Sequence, residues 1–189
     1  MRRWDLATGE TRSVFRGHIG EITCIAREER QVVTGSEDTN VRVWTLGAHA
    51  GTANCLRVLT GHQFAVTAVG IKGNTVVSAD LSFTGLMCSV QTGLVLKTLD
   101  GHNDSILCLV VQGEYAITGS ADTTLRIWPL GIPSTNPNLL GLGGASRHNT
   151  VVDKLVGHKS KITGLSGHCS SQASVISIAE DGEARRREP

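Results

Sequence analysis

GSEDTNVRVW, residues 35–44, returns 84 residues later as GSADTTLRIW, residues 119–128. Six of the ten positions are identical. Midway, offset by 44 from the first copy, residues 79–88 read ADLSFTGLMC. That stretch has Ser82 where the flanking copies have Asp38 and Asp122, and Cys88 where they have Trp44 and Trp128. Self-similarity at a fixed period marks an array built from one repeated supersecondary unit.

Working outward, a Gly-His pair precedes each unit, ending at His18, His62, His102 and His158. Four residues after each His comes Ile22, Val66, Ile106 or Ile162, and seven after it Ile25, Val69, Leu109 or Leu165. A fifth Gly-His, at Gly167-His168, lacks this continuation and reads as a loop coincidence. The segments ITCIA, VTAVG, ILCLV and ITGLS are apolar at alternate positions or nearly continuous, as covered strands should be. QVVTG, TVVSA, YAITG and SVISI follow, rich in β-branched residues. After an Asp-containing turn come VRVW, GLMC, LRIW and EARRR, and a further strand (RSVF, CLRVL, VLKTL, VVDKL) precedes each Gly-His. Four strands per unit predict an all-β chain of four-stranded antiparallel propeller blades.

The sequence resembles the WD-repeat family over almost its whole length. Residues 4–9, WDLATG, even carry the Trp-Asp dipeptide and the Thr-Gly turn. Repeats are expected at residues 10–47, 54–90, 94–130 and 151–187, with a Pro-containing surface loop over residues 129–150. The resemblance implies a buried hydrogen-bonded tetrad of His, Ser or Thr, Asp and Trp in each blade. Mapped here, these are His18, Thr34, Asp38 and Trp44 in the first repeat and His102, Thr118, Asp122 and Trp128 in the third. The second keeps half, His62 and Ser78, and the fourth has His158, Ser177 and Asp181. An indole N–H can only donate, so a hydroxyl that accepts it and bonds onward to an imidazole satisfies every buried group. Thr34→Ala is expected to cost about 1–3 kcal/mol because it strands such partners.

Ser/Thr, His and Asp within bonding reach also describe a hydrolase triad, the sharpest catalytic reading open to this sequence. A nucleophile must be open to substrate, whereas these hydroxyls lie in apolar strands and recur blade after blade. No catalytic residue is therefore assigned. The histidines and five cysteines show no His-x-x-x-His or Cys-x-x-Cys spacing, so neither metal nor cofactor is expected. Gly141-Leu142-Gly143-Gly144 lacks the Lys-Ser/Thr of a phosphate loop.

The net charge of +1 argues against nucleic acid or a membrane surface as partner. No apolar run is long enough to span a bilayer, and MRRWDLATGE is no signal peptide. Five cysteines without a secretion signal read as reduced thiols in the cytoplasm or nucleus. Arg2-Arg3-Trp4 aligns with Arg42-Val43-Trp44, the end of a third strand, without a first or second strand before it. At the other end Arg186 and Arg187 align with Ile127 and Trp128, so the last strand is expected to fray or to depart from the family. The expected architecture is an open arc of about four blades, able to associate with itself or with further blades.

The family resemblance implies a non-catalytic scaffold or adaptor that binds proteins or peptides. A truncated propeller without independent function is the bland alternative. Partners would dock where the Gly-His loops and Asp turns emerge. The residues expected there are Glu21, Glu37, Phe64, Asp104 and Lys159, with Phe64 the aromatic anchor.

Overall fold

A computed structural model describes residues 1–47, 51–131, 153–169 and 173–187. Among these the protein is built from strands alone. The hairpin β1 (Arg2–Trp4) and β2 (Thr11–Val14) comes first. Blade 1 follows as β3 (Ile22–Glu28), β4 (Gln31–Ser36), β5 (Val41–Leu46) and β6 (Gly51–Leu59). Blade 2 is β7 (Val66–Lys72), β8 (Thr75–Asp80), β9 (Gly85–Ser89) and β10 (Val95–Leu99). Blade 3 is β11 (Ile106–Gln112), β12 (Tyr115–Ser120), β13 (Leu125–Pro129) and β14 (Asp153–Leu155). Blade 4 has three described strands, β15 (Ile162–Cys169), β16 (Ala173–Ala179) and β17 (Ala184–Arg187). Each blade pairs its strands antiparallel in chain order, and β2 adds to β6 in parallel. The sheets do not close on one another, so the blades form an arc. Beyond Gly131, the expected 129–150 loop lies outside the described residues.

The core lies between blades. Val33, Val41, Val43 and Leu59 of blade 1 pack with Val66, Val69, Ile71 and Val76 of blade 2. Val77, Met87 and Leu99 of blade 2 pack with Ala116, Trp128 and Leu130 of blade 3. Close approach dictates small residues at one register position. A Cβ on Gly35 would come within 2.4 Å of Val66, and one on Gly119 within 2.8 Å of Ile162. Each joint also carries a polar tie. The Thr23 hydroxyl donates to the Val66 carbonyl, and that of Thr67 to the Ile106 carbonyl at 2.7 Å.

The last strand does not fray. β17 pairs with β16 in continuous register from Val175↔Arg187 to Ile178↔Ala184. Backbone ladder bonds hold a strand even where its side chains are charged, provided they face water. Arg185 and Arg186 do so.

Candidate functional site

Two of the blades carry the four-membered bonded chain. His18 Nδ1 lies 2.8 Å from Asp38 Oδ2, His18 Nε2 lies 2.8 Å from Thr34 Oγ1, and Trp44 Nε1 donates to Thr34 Oγ1 at 2.8 Å. In blade 3 the same links, His102 to Asp122, His102 to Thr118 and Trp128 to Thr118, measure 2.9, 2.8 and 2.9 Å. The indole fixes the proton order. It can only donate, so the single hydroxyl proton goes to His Nε2 and the imidazole carries its own proton on Nδ1, toward the carboxylate.

Blade 4 has the chain without an indole: His158 lies 3.1 Å from Asp181 and 2.9 Å from Ser177. Blade 2 departs from the reading that it keeps only half its polar set. His62 Nδ1 bonds Asp80 Oδ2 at 2.9 Å and His62 Nε2 bonds Ser78 at 2.8 Å. Asp80 stands two residues before Ser82, in the register place of Ser36 and Ser120. Ser82 instead donates its backbone N–H to Asp80 Oδ1 at 2.8 Å. The carboxylate has moved along the turn and kept its bond to the ring. The local signal was Asp80 itself, the single acidic side chain of that turn.

The carboxylates also clasp two loops together. Asp38, Asp122 and Asp181 each accept the backbone N–H that follows their histidine, from Ile19, Asn103 and Lys159. Each also accepts an N–H two residues ahead, from Asn40, Thr124 and Glu183. Burial raises the Asp122 pKa, but the bonds from Thr124, Asn103 and His102 outweigh it and hold the group at about 2. The backbone donors Lys159 and Glu183 bring Asp181 to about 2. His62 and His102 are pushed below the usual imidazole range by burial, against the pull of their carboxylates.

The hydroxyls of Thr34, Ser78, Thr118 and Ser177 are buried. In blades 1 and 3 the oxygen also accepts an indole proton, which occupies one of its two lone pairs and ties the hydroxyl to the buried ring. Blade 4 differs. A cavity of about 260 Å³, lined by Leu155, Val156, Gly157, His158, Ser177 and Arg185 among others, opens beside its hydroxyl. Among the described residues no three His, Cys, Asp or Glu side chains converge as a metal-ligand set. No helix there is long and apolar enough to cross a membrane.

Above the polar chains, the Gly-His loops and Asp turns share one face. Glu21, Glu37, Phe64, Asp104 and Lys159 are all exposed on it. Phe64 is 52% exposed, and Phe83, which the sequence reading passed over, is 53% exposed. Phe83 occupies the turn place of Thr39 and Thr123. An aromatic in a turn otherwise filled by threonine was the available signal. The turn is anchored between two loops: Leu81 N–H donates to the Ala65 carbonyl, and Ser105 Oγ donates to the Leu81 carbonyl at 2.8 Å.

The repeating blade, its bonded chain and its turn are matched by a family model. The model for the WD domain, G-beta repeat, fits residues 9–45 and 93–129. The chain belongs to the WD-repeat family. Nuclear distribution protein PAC1 of Zygosaccharomyces rouxii is 38% identical over 125 residues, covering 59% of this chain and 27% of that protein. Mitochondrial division protein 1 of Aspergillus niger is 32% identical over 130 residues, covering 69% of this chain and 18% of that protein. This WD-repeat chain thus matches under a third of the length of these curated relatives. Among solved structures, the computationally designed Ika4 protein aligns with a TM-score of 0.74 and 27% identity over 96% of this chain and 99% of that one. The designed Ika8 protein aligns with a TM-score of 0.77 and 27% identity over 100% of this chain and 52% of that one. WD-repeat proteins are in general non-catalytic scaffolds that bind other proteins.

Proposed function

We propose that this chain is a non-catalytic scaffold or adaptor that docks a protein or peptide on the face bearing the Gly-His loops and Asp turns. The observation that carries this reading is that Phe64, Leu81 and Phe83 of blade 2 are each exposed, with the Leu81 backbone hydrogen-bonded to the loops on either side. Exposed aromatics held on a rigid base, rimmed by polar groups, are the usual anchors of protein contacts. Glu21, Glu37 and Asp104 on neighbouring loops favour a partner segment that combines an apolar side chain with basic ones. Lys161, which would oppose this, pairs with Glu180 at 3.0 Å. Lys159 lies at the far end of the arc from Phe64 and Phe83. The reduced cysteines Cys24, Cys55, Cys88 and Cys108 suit a cytoplasmic or nuclear setting.

Affinity purification with mass spectrometry, comparing wild type with Phe64→Ala and Phe83→Ala, tests the reading. Loss of the same co-purifying proteins from both variants, at unchanged thermal stability, supports it. Full retention in both places the docking surface elsewhere.

A further inference from the structure

In blades 1 and 3 the buried indole is held by the same five groups. The first is the hydroxyl that accepts its N–H, Thr34 or Thr118. The second is the imidazole bonded to that hydroxyl, whose ring centroid lies 6.2 Å from that of Trp44 in blade 1 and 6.4 Å from that of Trp128 in blade 3. The third is the glycine before the histidine: a Cβ on Gly17 would come within 3.3 Å of the Trp44 ring, and one on Gly101 within 3.6 Å of Trp128. The fourth is the arginine across the strand pair from the hydroxyl, as Thr34↔Arg42 and Thr118↔Arg126. The Arg42 guanidinium lies 6.0 Å from the Trp44 ring. The fifth is the apolar residue three places before the histidine, Phe15 or Leu99, which packs with the indole.

Blade 4 presents all five without a tryptophan of its own. Ser177 pairs with Arg185, and His158 bonds Ser177 at 2.9 Å. Gly157 precedes the histidine, and Leu155 lies three places before it. A Cβ on Gly157 would meet the Arg185 guanidinium at 3.0 Å, as one on Gly17 would meet that of Arg42. Val175 pairs with Arg187 where Val32 pairs with Trp44 and Ala116 with Trp128. These same five residues line the cavity of about 260 Å³. A cavity of roughly 150 Å³ already holds benzene, so this one has room for two fused rings. Blade 2 shows the alternative. It also lacks the indole, but there Leu86 replaces the arginine opposite Ser78 and packs with Cys88 and Leu59.

The polar wall of the cavity is short of a donor. Asp181 draws the imidazole proton to Nδ1, so Ser177 gives its own proton to His158 Nε2. The other polar neighbour of Ser177 is the Arg185 carbonyl, 3.5 Å away and again an acceptor. Among the described residues, Ser177 Oγ thus meets two acceptors and no donor. In blades 1 and 3 the remaining lone pair takes the indole N–H.

We propose that the blade 4 cavity binds a planar aromatic ring carrying an N–H donor, an indole supplied from outside the chain. The ring rests against Leu155 and the Arg185 guanidinium, and its N–H goes to Ser177 Oγ. Arg185 keeps its bonds to Glu183 through Nε and Nη2, which leaves the guanidinium face to the ring. Leu125 and Val156 complete the apolar wall. β17 stays paired with β16 throughout, and no strand moves. An indole is preferred over a plain arene because its N–H satisfies the Ser177 lone pair.

Free indole, titrated into the full chain and followed by NMR, should bind with a dissociation constant at or below about 1 mM. Ring-current shifts should centre on the Gly157 and His158 amides. Benzofuran, of the same shape without the N–H, should bind at least about fivefold more weakly. Arg187→Trp supplies an indole at the register place of Trp44 and Trp128, and should abolish binding while the melting midpoint holds or rises. N-acetyltryptophanamide separates the two sources of such a ring. Its binding assigns the seat to a tryptophan side chain of a partner, its exclusion to a free indole, and either result supports the seat when indole binds. Three results overturn the proposal: no shifts at about 5 mM indole; equal affinity for benzofuran; or indole binding undiminished in a folded Arg187→Trp variant.

Discussion

Replacing Thr34 by valine removes one hydroxyl and leaves the shape of the side chain almost unchanged. The oxygen sits between two buried groups, the Trp44 indole N–H and His18 Nε2, each at 2.8 Å. Neither finds water once the hydroxyl is gone, because Thr34 and Trp44 are both buried. Each stranded buried group costs about 1–3 kcal/mol, so the pair should cost about 2–5 kcal/mol. Blade 2 supplies an internal control. Ser78 bonds His62 at 2.8 Å, but Cys88 stands where the indole would be. Ser78→Ala should therefore cost only the single-group penalty, about 1–3 kcal/mol. Urea unfolding followed by circular dichroism, with unchanged m-values, measures both. A Thr34→Val cost below about 0.5 kcal/mol, or one no larger than that of Ser78→Ala, would refute the shared-hydroxyl account.

Asp80→Ala should destabilise by about 1–3 kcal/mol, because His62 Nδ1–H loses its acceptor, while Ser82→Ala should cost clearly less. Equal costs in urea unfolding would return the role to Ser82. Thr123 holds a φ of 69° and Thr39 one of 64°, where blade 4 places Gly182 at 79°. Relief of a β-branched residue in that region should make Thr123→Gly stabilising by about 0.5–1 kcal/mol, read as a raised melting midpoint; a lowered midpoint rejects this. Stability should also fall on acidification in two stages. Burial keeps His62 and His102 neutral in the native state. As the pH drops through the ordinary imidazole value of 6.5, the unfolded chain takes up protons that the folded one refuses, and stability is lost. Asp122 contributes fully above its ordinary 3.8, and this contribution disappears as the pH falls toward about 2. Melting midpoints that hold level from neutral pH to below the imidazole range would contradict the first stage.

The strands were legible because β-branched alternation and Gly-His spacing report backbone period and loop position directly. The Trp and Asp spacings of residues 35–44 and 119–128 located the polar chains for the same reason. Asp80 was not legible by spacing. A carboxylate two residues early in a turn reaches the same ring by a different path, and only the folded turn shows that. Phe83 was hidden in the turn place that Thr39 and Thr123 fill, since exposure there is set by how the turn lies against loops 63–65 and 103–105. For β17 the side chains misled: arginines at apolar positions suggested fraying, but backbone pairing to β16 holds the strand while Arg185 and Arg186 face water. The alignment of Trp4 with Trp44 was visible in sequence.

Ser177 puts the central claim, that these His–hydroxyl–Asp chains hold blades together, to its hardest test. It is bonded to His158, which in turn bonds Asp181, in the geometry of a triad, and it borders a cavity. The full native chain should be treated with a serine-directed fluorophosphonate and its intact mass measured. The account predicts an unchanged mass, because the Ser177 hydroxyl is buried and already bonded to His158. An adduct that maps to Ser177 and disappears in His158→Ala would contradict it and make blade 4 a catalytic site.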